Sequence, residues 1–81
     1  MMYEAGMLAR SKAGHDKAQM YIIKEVDDTY VYLVDGRIRT LGHPKKKKKK
    51  HVQIVHGIYN MKELDDAGIR KLIKDWMKEE K

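Results

Sequence analysis

Eighty-one residues without a single cysteine make one small domain with a thin core, and neither a disulfide nor a thiolate zinc site can reinforce it. Eighteen lysines and arginines against twelve aspartates and glutamates give a net charge of +6, and no apolar run approaches membrane-spanning length. The opening "MMYEAGMLAR" has neither the basic leader nor the apolar block of a signal peptide, so no membrane is expected and the expected setting is the cytoplasm.

In chain order, residues 6 to 41 predict four strands. "GMLARSK" is a short first strand, and "AQMYIIKEV" a second, rich in β-branched and aromatic residues. "TYVYLV" is a third, and "RIRTL" a fourth, with Ile38 between two arginines. Asp27-Asp28 supplies turn chemistry between the second and third strands. Asp35-Gly36 predicts a hairpin between the third and fourth, because glycine accepts the positive φ of a type I′ turn. Along the third strand Val31 and Leu33 point one way, and Tyr30, Tyr32 and Val34 the other. One face lines a small core; the other is covered or stacks on something.

"GHPKKKKKK" comes next. Gly42 and Pro44 break regular structure, and the lysines repel one another, so residues 42–50 are expected to form a basic loop. "HVQIVH" resumes the strand pattern and closes the sheet as a fifth strand. Ile69, Leu72, Ile73, Trp76 and Met77 then fall at i, i+3, i+4, i+7 and i+8, one stripe of an α-helix from about Asp65 to Glu80. Asn60 with Glu63 offers an earlier capping box, but Gly68 would weaken a helix begun that early, so the start near Asp65 is favoured. The fold class expected from this order is mainly β: a small, partly open barrel of about five strands over residues 1–60, with a C-terminal helix in residues 61–81 packed on or flanking it.

The charges are segregated. Between Gly36 and Lys62 there are nine basic residues and no Asp or Glu. A segregated basic block is the usual footprint of a polyanion site, whereas a merely soluble surface mixes the signs.

Gly6 followed by "ARSKAGHDKAQMYIIKEV" resembles the KOW motif of ribosomal and transcription proteins, with Gly14 where that motif has its central glycine and with Asp16 and Lys17 after it. "DDTYVYLVDGRIRTL", Pro44, the lysine run and His51 extend the likeness, over about residues 5 to 56, to the KOW-domain RNA-binding proteins related to the large-subunit ribosomal protein of the fourteen-e type. One position departs: where many such loops carry a second glycine, this chain has Ala18. The resemblance implies an SH3-like barrel and binding to structured, ribosomal RNA.

The residues expected to meet RNA are Arg10, Lys12, Gly14, His15 and Lys17 around the glycine loop, Arg37 and Arg39 after Asp-Gly, and Lys45, Lys46, Lys47, Lys48, Lys49, Lys50 and His51. The competing reading of each cation is a solvated surface, and of the lysine run an idle spacer. Tyr21, Tyr30 and Tyr32 are expected to pack inside the barrel, and Trp76 to anchor the helix. His15, His43, His51 and His56 have no tight ligand spacing, so no metal or other cofactor is expected. Ser11 has no activating pair and no phosphate loop is present, so the chain is expected not to be an enzyme. Two rivals remain: an adaptor using the helix face to meet ribosomal proteins, other proteins or a membrane, and a KOW-type transcription protein on DNA.

Overall fold

The computed structural model describes residues 2–12 and 19–79, less the side chains of His56 and Glu79. It contains five strands, β1 (Met7–Ser11), β2 (Met20–Val26), β3 (Tyr30–Val34), β4 (Lys45–Lys48) and β5 (Val52–Ile58), and one α-helix, α1 (Asp66–Glu79). Short 3₁₀ turns occupy Lys49–His51 and Met61–Glu63. The strands form a single antiparallel sheet in the order β4-β3-β2-β1-β5.

That order forces curvature. The edge strands β4 and β5 are joined by Lys49–His51 alone. A flat sheet of five strands would hold its edges about 19 Å apart, while three 3₁₀ residues advance about 6 Å. The sheet therefore curls into a half-barrel, as the mainly β, SH3-like expectation required. Two backbone bonds fasten the connecting turn to its neighbours: the Lys49 amide donates to the Thr29 carbonyl at 3.0 Å, and the Lys12 amide to the His51 carbonyl at 2.8 Å.

Side-chain alternation divides the core in two. On the concave face Ala9, Tyr21, Ile23, Val31, Leu33 and Val52 are buried together. On the other face Leu8, Met20, Ile22 and Val34 meet Ile69 and Ile73 of α1, with Leu72 and Trp76 packed against them. Burying a side chain such as Ile69, which has 0% exposure, contributes about 1.5–3 kcal/mol. The apolar stripe of the helix is thus used within the domain, and only its far residue Met77 is largely exposed.

Two expectations about local structure change. "RIRTL" is not a strand. Asp35 Oδ1 accepts from the Arg37 and Arg39 amides at 2.8 and 3.0 Å, and the Arg39 carbonyl accepts from the amides of Asp35 and Gly36 at 2.8 and 3.2 Å. This closed loop takes up the amides that a strand would offer a neighbour. Gly36 does adopt positive φ, +77°, but within that loop rather than in a two-residue hairpin. The lysine run is not a loop either, since Lys45–Lys48 pair with Leu33, Val31 and the tyrosines between and beyond them as β4. The helix start agrees with the favoured reading: Asn60 and Glu63 pair at 3.3 Å to close the 3₁₀ turn, and the cap of α1 is Asp65, whose Oδ1 accepts from the Gly68 amide at 2.7 Å.

Candidate nucleic-acid interface

The lysines owe their order to their neighbours. Lysine is a poor strand former, yet β4 lies along β3 with Tyr30 opposite Lys48, Val31 opposite Lys47, Tyr32 opposite Lys46 and Leu33 opposite Lys45. Lys45 and Lys47 share the face of buried Leu33 and Val31 and are half-buried, which suits side chains with apolar stems and charged tips. Lys46 and Lys48 are exposed on the face of Tyr32 and Tyr30. Alternation places like charges on one face about 7 Å apart, where repulsion in water is about 0.6 kcal/mol per pair before screening. Pairing with β3 outweighs that cost.

The run continues through the Lys49–His51 turn. Tyr3 supports it: its hydroxyl donates to the carbonyls of Lys49 at 2.9 Å and Val52 at 3.3 Å, and Lys49 Nζ lies 5.9 Å from the ring centroid. Lys49 Nζ also donates to the Asp28 carbonyl at 3.1 Å. Lys48, Lys49 and Lys50 line a shallow depression with Asp28 and Thr29. On its other side the turn is bonded, through His51, to Lys12, the residue after β1. Lys12, Lys48, Lys49, Lys50 and His51 are therefore brought together. Gly14, His15 and Lys17 lie outside the described residues. Arg10 is half-buried within β1, between Met20 and Gln53 of the adjoining strands.

Arg37 belongs to a different group. It lines a groove of about 400 Å³ with Gln19, Asp35, Ile38, Arg70, Ile73, Lys74 and Met77. With Arg70, Lys71 and Lys74 it forms a second cationic surface, on the helix side of the molecule. Helical spacing marks the helix cations as partners of the dipole; it does not reveal that the Asp35 loop packs beside them. Arg39 is half-buried, with its backbone engaged by Asp35 and Gly36.

The tyrosines divide as well. Tyr21 is buried in the concave core as expected. Tyr30 and Tyr32 are not; they are half-buried on the outer face and belong to neither core cluster. Lys46 Nζ sits 4.2 Å from the Tyr30 ring centroid, a cation–π contact. The Tyr32 hydroxyl donates to Asp27 Oδ2 at 3.0 Å. Asp27 Oδ1 in turn accepts from the amides of Tyr30 at 2.7 Å and Thr29 at 2.9 Å, and these bonds, Tyr30 first, hold its carboxyl below the usual aspartate range. The bond to Asp27 raises the Tyr32 hydroxyl above the usual phenol range.

Among the described residues no group of three or more His, Cys, Asp or Glu comes together in a way that would hold a metal ion, and no helix is long and apolar enough to cross a membrane. No protein-family model matches the chain, and a comparison with curated proteins finds no similar sequence.

Proposed function

We propose that this protein is a non-enzymatic, cytoplasmic RNA-binding module of KOW type, associated with the ribosome, and that it meets the phosphates of structured ribosomal RNA through β4, the Lys49–His51 turn and Lys12. The observation that carries this reading is that the six-lysine run is a strand and a turn fastened at both ends. Exposed Lys46 and Lys48 thus lead along one face of β4 into Lys49 and Lys50 of the turn, which is bonded through His51 to Lys12. A bland rival is that lysines on an edge strand simply keep other sheets from pairing with it. That explains Lys45–Lys48 but not the continuation of charge into Lys49 and Lys50, which lie in a turn with no ladder to protect. An adaptor built on the helix stripe is less well supported, since Ile69 and Ile73 are spent on the core.

The test is affinity for a ribosomal RNA fragment across a salt series, for the wild type and for a variant with Lys45 to Lys50 all changed to glutamine. Each phosphate that the variant no longer neutralises should flatten the slope of log affinity against log salt by about 0.7–0.9. Four such phosphates would therefore reduce the slope by about 3 and weaken binding at low salt by orders of magnitude. Equal affinity and slope for the two proteins would remove the lysine run from the interface. Equal competition by duplex DNA would shift the reading to a general KOW-type nucleic-acid binder.

A further inference from the structure

We infer that the outer face of β3 and β4 is a stacking site for an unpaired RNA base, with Tyr30 and Tyr32 as the platform and Lys46 and Lys48 as the phosphate cations. The inference rests on the RNA-binding reading and adds to it the kind of nucleotide taken.

Strand alternation sets the geometry. Tyr30 and Tyr32 share the face of Val34, which is the face that α1 packs on. The helix covers Met20, Ile22 and Val34 at one end of that face. Beyond it, the two tyrosines remain only half-buried. Successive tyrosines on one face of a strand lie about 7 Å apart, so a base can rest on either ring or against both.

The flanking charges are sorted. On the β4 side, register sets Lys48 opposite Tyr30 and Lys46 opposite Tyr32. On the β2 side, Glu25 is opposite Tyr32, and Asp27 accepts the Tyr32 hydroxyl at 3.0 Å. Cations along one margin suit a phosphate backbone running beside β4. The Glu25 carboxylate on the other margin can accept from amino or imino N–H groups of a base lying over the rings.

Two contacts show the platform prepared. The Tyr32 ring is held by its hydroxyl bond to a carboxylate that two backbone amides already fix, so little rotamer freedom is lost on binding. The Tyr30 ring already receives the Lys46 ammonium at 4.2 Å. A base can take the place of that ammonium on the ring, and the flexible lysine can then turn to the adjoining phosphate. Stacking on an aromatic ring tolerates any base, so the site selects unpaired nucleotides rather than a sequence.

The probe is a pair of RNA hairpins with the same stem, one fully paired and one carrying a single unpaired 2-aminopurine. The wild type should bind the second about 10-fold more tightly, and the fluorescence of its 2-aminopurine should fall on binding. A variant with Tyr30→Leu and Tyr32→Leu should bind both hairpins alike and leave the fluorescence unchanged. Its affinity for the paired stem and its salt slope should match those of the wild type. Tyr32→Phe, which keeps the ring, should retain most of the preference. If the wild type binds both hairpins equally with no quenching, the stacking site is overturned while RNA binding stands. If the wild type binds neither hairpin at low salt, the RNA-binding reading fails and the stacking site with it. If leucine substitution leaves quenching intact, the base is elsewhere and the assignment of Tyr30 and Tyr32 is wrong.

Discussion

Asp27 joins three parts of the outer face with one carboxylate: the β2–β3 turn through the amides of Thr29 and Tyr30, the platform through the Tyr32 hydroxyl, and β4 through the nearby Lys46 charge. A carboxyl that folding depresses holds its proton more weakly in the native chain than in the unfolded one. The stability it contributes is complete above the unfolded aspartate pKa, about 3.9, and is lost as pH falls through the lower native value. Tyr32 has the opposite sense. Its native pKa is raised, chiefly by the bond to Asp27, so its contribution is complete below about pH 10 and is lost as pH rises through the native value. Urea midpoints measured against pH should show both limbs. Asp27→Asn should be less sensitive than the wild type to acid below about pH 4, and Tyr32→Phe less sensitive to alkali above about pH 10. Superimposable acid limbs for wild type and Asp27→Asn would mean that the turn does not depend on the charge of this carboxylate.

At the scale of elements, the Asp35 loop and the first turns of α1 lock together. The Arg70 guanidinium donates to the Gly36 carbonyl at 2.6 Å, and the Leu41 amide donates to Asp66 Oδ1 at 2.8 Å. A Cβ at Gly36 would collide with the Asp66 carbonyl oxygen, at a backbone φ of +77° that side chains disfavour. Gly36→Ala should therefore cost about 2–4 kcal/mol, read as a fall in melting temperature of on the order of 10–20 °C. A fall of a degree or two would show that the loop and helix can part without consequence. The same lock explains which elements could be read from the sequence. β2 and β3 announce themselves by β-branched and aromatic residues, β5 by its valines and isoleucines, and α1 by its stripe and the aspartates at its start, because those signals are local; β1, MLARS, has neither residue type. "RIRTL" carried a strand's alternation, but the Asp35 carboxylate captured its amides. The lysines carried no strand signal because β3 supplies the pairing that orders them. Parity in "TYVYLV" correctly separated Val31 and Leu33 from the tyrosines and Val34. How far α1 reaches over the second face is set by tertiary packing, so the outward placement of Tyr30 and Tyr32 was not legible, nor was the grouping of Arg37 with Arg70 and Lys74.

The whole molecule is small against the range of its own field. Its extents are 28 × 28 × 23 Å, while the screening length is about 30 Å at 0.01 M salt and about 8 Å at 0.15 M. At low ionic strength every charge therefore acts on every other, and a net charge of +6 works against the compact state. The melting temperature of the free protein should rise as salt is raised toward the physiological range. Changing Lys45 to Lys50 to glutamine removes six positive charges from +6 and leaves a net charge of zero. That variant should melt higher than the wild type at low salt and depend little on salt thereafter. Ribosomal RNA at low salt should do to the wild type what the substitution does permanently, raising its melting temperature while leaving that of the variant nearly unchanged. The stability measurement and the binding measurement thus report one quantity, the self-repulsion of the lysine strand and turn. A wild type indifferent to both salt and RNA would show that the acids outside the basic block already neutralise it, and would leave β4 as a protected edge alone.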